Sequence, residues 1–225
     1  MIASWPCPLP GGRIAEEYAV IFDRGRAHRL LIAPALFEEA SRMRRLTVEV
    51  MRRLDGAGID SLLPDLPGCN ESLESLGDQT PEDWGDALGA AARHFAATHV
   101  LGIRGGGLFL PRDLPGWFYA PVKGASLLRQ MIRARILAAR EAGRNETQDG
   151  LLAAALESGA ELAGYRLSAE FIRQFQALAP AKRSNLGDIA QDTIGGGGLW
   201  LRAEPDDDAG QADALAAVLA IGIKT

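Results

Sequence analysis

Histidine is almost missing from this 225-residue chain: His28, His94 and His99 are the three it has. Histidine is the usual base for an activated serine or cysteine, so nucleophilic chemistry has few residues to draw on. Cysteine is scarcer still. Cys7 and Cys69 lie far apart with no C-x-x-C spacing, which argues against a disulfide framework or a zinc site and suits free thiols in a reducing compartment. No window approaches the ~18 apolar residues of a membrane span, and the first residues lack a basic stretch followed by an apolar run. A soluble, cytoplasmic protein without a transmembrane segment is expected. Lysine occurs only at Lys123, Lys182 and Lys224, so arginine carries nearly all the positive charge. With 24 basic against 29 acidic residues the net charge is −5, which gives no reason to expect a nucleic-acid partner. No metal-ligand pattern stands out, and Gly195 to Gly198 lacks the lysine and helix that follow a phosphate loop. Neither a metal nor a cofactor is expected.

What is present suits one α/β domain over residues 1–225, with 47% hydrophobic residues and no internal repeat. Tyr18 to Phe22 reads as a short strand. His28 to Leu36 reads as another, and its near-continuous apolar run suits a central position covered on both faces. Met43, Leu46, Thr47, Val50, Met51 and Leu54 recur at helical spacing, and Gly56 and Gly58 end that helix. Ile59 to Pro64 and Val100 to Ile103 are two further buried strands. Between them, Thr80-Pro81-Glu82-Asp83 starts a helix that buries Trp84, Ala87, Leu88, Ala91, Ala92 and Phe95. Strands alternating with helices imply a mostly parallel sheet with helices on both faces.

Beyond residue 103 the spacing predicts a short helix or none, because Pro111 and Pro115 interrupt, and then a strand from Trp117 to Val122. Helices are expected over Ser126 to Arg140, Leu151 to Leu156, and Phe171 to Leu178 with Ser168 as its cap. Ala181 to Gly198 reads as a mobile connection to a strand over Leu199 to Ala203. An acidic stretch, Glu204 to Asp208, and a last helix from Gln211 to Ala220 complete the chain.

The segment Val100-Leu101-Gly102-Ile103-Arg104-Gly105-Gly106 has the frame of a G-x-S-x-G nucleophile elbow, with arginine in the nucleophile's place. A guanidinium is permanently charged and only donates hydrogen bonds. It binds anions or pairs with carboxylates and cannot add to a carbonyl carbon.

These features resemble the α/β-hydrolase superfamily, and within it the exosortase A system-associated hydrolases of bacterial exopolysaccharide and protein-sorting loci. The resemblance rests on Pro34-Ala35-Leu36-Phe37-Glu38-Glu39, Ser41-Arg42-Met43-Arg44-Arg45, Leu63-Pro64-Asp65-Leu66-Pro67-Gly68-Cys69, Gly102-Ile103-Arg104-Gly105, Ala120-Pro121-Val122 and Ala163-Gly164-Tyr165-Arg166-Leu167-Ser168. They span most of the chain in order; the region after the elbow is shorter than the family's. The resemblance implies a reduced α/β-hydrolase fold with a small helical cap over residues 126–178, and places the protein with that pathway.

Such a fold works at the carboxyl ends of its parallel strands. His28 and His99 open their strands at the opposite edge, and His94 ends a helix running back to it, so a Ser-His-acid triad is not expected. Glu204, Asp206, Asp207 and Asp208 come after the expected last strand, where the superfamily keeps its triad acid; they read either as that acid or as a solvated loop. Cys69 is a reactive thiol or an inert one. Glu38 and Glu39 occupy the loop that in such folds supplies an oxyanion donor, and a carboxylate there suits Arg104 better than an oxyanion. Arg104 therefore either pairs with one of them or binds an anion. The candidate ligand-binding residues are Phe37, Glu38, Glu39, Cys69, Arg104 and Gly105, with no catalytic residue and no metal ligand. The expected role is a catalytically divergent or inactive protein that binds a small ligand, anionic ones included, or a protein partner. The alternative is an esterase or acyltransferase with an unconventional nucleophile, Cys69 or Ser126.

Overall fold

Trp5, Cys7 and Leu9 point inward from β1 (Ile2–Leu9) and alternate with exposed residues, the period of a half-buried strand. A short 3₁₀ turn over Pro10–Gly12 returns the chain as β2 (Arg13–Phe22), antiparallel to β1. The computed structural model describes residues 1–225. Met1 and Ile21 exchange both main-chain hydrogen bonds, at 2.9 and 2.8 Å, so every second residue of β1 faces its partner. Pro6 and Pro8 fall on the alternate positions. There an N–H would point at the open edge of the sheet, and two prolines remove it as a template for a further strand.

The chain continues through β3 (Arg29–Ala33), α1 (Glu38–Gly56), β4 (Asp60–Pro64), α2 (Pro81–His94), β5 (His99–Ile103) and β6 (Gly116–Tyr119). Next come α3 (Gly124–Glu141), α4 (Gln148–Ser158), a hairpin of β7 (Ala160–Leu162) and β8 (Tyr165–Leu167), and α5 (Ala169–Ala177). The last elements are β9 (Leu186–Ile189), α6 (Gln191–Ile194) and α7 (Ala209–Lys224). Seven strands form one sheet in the order β1-β2-β4-β3-β5-β6-β9, parallel from β4 onward. Leu31, Val100 and Phe118 pack on one face with Trp84, Phe171 and Phe175; Leu30, Leu101 and Tyr119 pack on the other with Met43, Leu46, Leu215 and Leu219. The sheet is thus covered on both sides, as the apolar runs of β3 and β5 require.

Two local signals are built as the sequence predicts. Thr80 accepts from Asp83 N at 3.2 Å while the Asp83 carboxylate takes the Thr80 N–H at 2.7 Å, a reciprocal cap for α2. Ser168 caps α5 by accepting from Phe171 N at 3.1 Å.

The region after α5 departs from expectation. Ala181 to Gly198 is not a free connection: it holds β9, the edge strand, and α6. The strand is mostly solvent-facing, and its Gly187 gives room to Trp117, whose ring would lie 2.8 Å from an added Cβ. Leu199 to Ala203 is not a strand. Only Leu199 is buried, Leu201 is 74% exposed, and the segment forms a 3₁₀ turn over Leu199–Leu201. The acidic stretch is therefore attached to no strand: Asp207 pairs with Arg45, Asp206 with Arg202, and Asp208 caps α7. The hairpins β1–β2 and β7–β8 extend beyond anything the sequence pattern marks.

Candidate functional site

β5 delivers Arg104 to the carboxyl edge of the sheet on a tight turn. The backbone there is left-handed, φ 52°, which for a residue with a Cβ costs roughly 1–2 kcal/mol. Close packing of main chain holds it. A Cβ on Gly102 would lie 2.5 Å from Gly107 Cα, one on Gly106 would lie 2.3 Å from the Pro34 carbonyl, and one on Gly105 would lie 2.7 Å from Leu36 Cδ1. This tight, glycine-packed turn leads into a 3₁₀ turn, Arg104–Leu108, and not into a long helix.

The Arg104 side chain turns into the protein. Its Nε and Nη2 donate to the two oxygens of Glu39, each at 3.0 Å, and Nη1 donates to the Ala120 carbonyl at 2.8 Å. Arg104 is 7% exposed and Glu39 4%, so this is a two-pronged ion pair shielded from water. Above the guanidinium lies the Trp200 indole, with Cζ 4.1 Å from the ring centroid, a cation over a π face. Trp200 meets Tyr119 edge-on at 6.2 Å, and its carbonyl accepts from Arg42 Nη1 at 3.2 Å. Tyr119 in turn donates to Gln191 Oε1 at 2.5 Å, and burial pushes its phenol up to about 12.

Glu38 and Glu39 both stand in the first turn of α1, where the helix dipole favours negative charge. They part there. Glu39 goes inward to Arg104, and Glu38 pairs on the surface with Arg42 at 3.0 Å. Phe37, at φ 55°, enters the core among aromatic rings, with centroids 5.2 Å from Tyr165 and 5.6 Å from Phe175. A cleft of about 310 Å³ opens over this arrangement, walled by Leu36, Phe37, Glu38, Leu127, Arg133 and Trp200 among others. Gly105 lies beneath it, packed on Leu36 and Leu127.

The remaining sequence-named residues lie elsewhere. Cys69 sits in the loop after β4 and does not line the cleft. Burial, with Asp65 and Glu17 nearby, pushes its thiol up to about 12, the opposite of what nucleophilicity needs. Ser126 is in the first turn of α3, where its hydroxyl accepts from Arg129 at 3.0 Å. His99 pairs with Leu30 at the start of β5, touches Thr98 Oγ1 at 2.9 Å through Nδ1, and stacks on Trp117. The His28 ring is 6.4 Å from it, and His94 closes α2 at the same edge. A strand's length, roughly 13 Å at ~3.3 Å per residue, separates that edge from Arg104.

Sequence reasoning missed Trp200, Tyr119 and Arg42 as parts of this centre. The signal for Trp200 was an aromatic residue close behind four glycines, a place where a packed strand is poorly specified and a turn is easy.

No protein-family model matches the chain, and no curated protein matches it. Among solved structures, DcsB in complex with its substrate analogue superposes with a TM-score of 0.56 at 12% identity, covering 100% of each chain. The α/β hydrolase GrgF from Penicillium sp. sh18 gives 0.48 at 15% identity, over 79% of this chain and 73% of that one. Alpha/beta hydrolase domain-containing protein 10 from mouse gives 0.49 at 12% identity, over 77% and 69%. No helix is long and apolar enough to cross a membrane. With its mostly parallel seven-stranded sheet, helices on both faces and a glycine-walled turn at the carboxyl end of β5, this chain has an α/β fold, one it shares over its whole length with DcsB.

Proposed function

We propose that this protein is a catalytically divergent member of the α/β-hydrolase fold that binds a small ligand or a partner in the cleft above Arg104 and does not hydrolyse esters through a serine triad. One observation carries this reading: the residue on the elbow is a guanidinium held from both oxygens by Glu39. A nucleophile needs a base within hydrogen-bond reach. The cleft walls include no serine, threonine, cysteine or histidine, and the three histidines stand at the other edge of the sheet. The protonated, sequestered Cys69 thiol and the Arg129-bound Ser126 weigh against the esterase or acyltransferase alternative. In this reading α3, α4, the β7–β8 hairpin and α5 act as the cap over residues 126–178, and the site residues are Phe37, Glu38, Glu39, Arg104 and Gly105, without Cys69. The exosortase- and exopolysaccharide-associated role rests on the resemblance of the Phe-Glu-Glu and Asp-Leu-Pro-Gly-Cys segments, and a cytoplasmic location on the two free cysteines, which suit a reducing compartment.

The test is turnover of p-nitrophenyl acetate and butyrate by purified protein. Rates should stay near the uncatalysed background, since loss of a triad leaves only weak assistance from binding and dipoles. Robust turnover that disappears in Ser126→Ala or Cys69→Ala would overturn the proposal and restore the enzyme reading.

A further inference from the structure

The donors of Arg104 are largely committed. Three of its five N–H groups are bonded, two to Glu39 and one to the Ala120 carbonyl, and the Glu39 carboxylate already neutralises its charge. An anion entering the cleft would find little charge left in the plane of the guanidinium. Arg104 itself does not line the cleft; Trp200 does, and its indole lies between the two, over the flat face of the guanidinium at 4.1 Å.

Trp200 is held differently from its neighbours. Leu199 is 1% exposed and anchors the turn in the core, while Leu201 is in solvent and the Trp200 indole is half-buried. The turn comes after four successive glycines, of which Gly195 and Gly196 have φ of 82° and 67° and Gly197 has open space where a Cβ would be. The carbonyls of Gly195 and Gly197 are held by Gln191 and Gln211 at 2.8 and 3.0 Å, and Gly198 makes room for the indole, an added Cβ lying 2.6 Å from Trp200 Cζ2, so the indole leaves by side-chain rotation while Leu199 keeps its place. The same cleft holds one cation without an acidic partner: Arg133 is exposed and makes none of the ion pairs that occupy Arg42, Arg45, Arg53 and Arg135.

From these we infer that the Trp200 indole is a built-in plug for an aromatic-acid site: a flat aryl carboxylate displaces it, laying its ring on the face of Arg104 and setting its carboxylate toward Arg133. The inference rests on the reading of this cleft as a binding site and names the chemistry that fits it. A ring replaces a ring over the same cation, so little is lost on exchange. The carboxylate supplies the surplus, since the indole carries no anionic group to pair with a cation on the cleft wall. A plugged site also binds more weakly than an open one, by the fraction of molecules in which the plug is out.

Calorimetric titration with 1-naphthoate tests this in wild type, Trp200→Ala and Trp200→Ala/Arg104→Met/Glu39→Met, the last removing the cation together with its carboxylate so that neither is stranded. Trp200→Ala should bind at least tenfold tighter than wild type, the triple variant should lose that gain, and cyclohexanecarboxylate should bind the open variant at least tenfold more weakly than naphthoate. A further readout needs no destabilising change: the Trp200 indole N–H resonance of wild type, assigned by its loss in Trp200→Phe, should shift on saturation with naphthoate. Equal affinity in wild type and Trp200→Ala, or an unmoved Trp200 resonance, overturns the plug. If naphthoate then still binds, and Gln130→Trp, a change at an exposed position on the cleft wall, abolishes it by filling the cleft, the binding reading survives alone. Binding to none of these proteins overturns both.

Discussion

Arg104 and Glu39 stand 65 residues apart in sequence and meet through two parallel hydrogen bonds of 3.0 Å, one from each of two guanidinium nitrogens. The pair ties the elbow at the end of β5 to the first turn of α1, at the carboxyl edge of the parallel strands. Breaking it from one side leaves the other charge buried without a partner. Arg104→Met should therefore lower stability by about 3–5 kcal/mol, while Arg104→Met/Glu39→Met, which leaves no stranded charge, should recover most of that loss. Urea denaturation midpoints of both single variants and the double variant measure the coupling. Strictly additive losses would mean that the two residues do not act as a pair.

Asp60 performs a comparable task at the opposite edge. Its side chain is fully buried and accepts from the N–H groups of Arg24 and Arg26 at 3.1 and 2.8 Å and from the guanidinium groups of Arg26 and Arg29 at 3.2 and 3.0 Å. One carboxylate thus fixes the loop between β2 and β3. Asp60→Ala should cost roughly 3 kcal/mol or more, because both donors of the main chain and two cations lose their acceptor. Amide hydrogen exchange over residues 23–29 should rise with it. Unchanged exchange in that loop would argue that the loop is held by something else.

Much of the fold was legible because its signals are local. The Thr80 cap, the Ser168 cap and the apolar run of β5 each lie within one element, and the chain builds them from neighbours in sequence. β1 is not legible because Pro6 and Pro8 are poor strand residues wherever an N–H must pair, and only the antiparallel pairing shows their missing N–H groups facing the open edge. β9 was hidden because an edge strand beside Trp117 needs a glycine and little apolar surface of its own, so it looks like a loop. At the site, arginine on the elbow was visible and its need for a carboxylate comes from desolvation. The choice of Glu39 over Glu38 was not, because it depends on which side of the first turn of α1 faces β5. The four glycines before Trp200 mark a turn, but its contact with Arg104 is not legible for the same reason: that turn has no periodic pattern to say which way the indole faces.

Two carboxylates should give opposite pH signatures. The Arg29 guanidinium, bonded to Asp23 at 2.6 and 2.9 Å, holds its carboxyl down to about 2 from an ordinary 3.8. That contribution is fully present above pH 3.8 and is lost as pH falls through about 2. Glu17 is the reverse. Burial, with Glu74 and Asp65 nearby, raises its carboxyl above 4.5 despite the Ser72 hydroxyl donating to it. Its contribution is present below 4.5 and is lost as pH rises through the raised value. Unfolding midpoints of wild type and Asp23→Asn should therefore converge in strong acid. Those of wild type and Glu17→Gln should shift in favour of the variant as pH climbs above 4.5. A constant wild-type-to-variant difference across the range for either residue would contradict its assigned shift.

Placing a serine on the elbow should not create a hydrolase. Arg104→Ser puts a small hydroxyl on a turn whose Gly102, Gly105 and Gly106 already allow close approach. It also strands Glu39, so the variant to use is Arg104→Ser/Glu39→Gln, in which no buried charge is left over. The hydroxyl would stand at the carboxyl edge with Ala120 and Trp200 beside it and every histidine at the far end of the strands. A serine without a base is a weak nucleophile at neutral pH, because almost none of it is deprotonated and nothing takes the proton as the bond forms. Geometry alone supplies position and leaves the proton transfer undone. The variant should fold, should remain unlabelled by a fluorophosphonate probe over the time that labels an active serine hydrolase, and should turn over activated esters no faster than wild type. Rapid stoichiometric labelling would show that some side chain reaches this serine as a base, and the reading of the site as non-hydrolytic would fall with it.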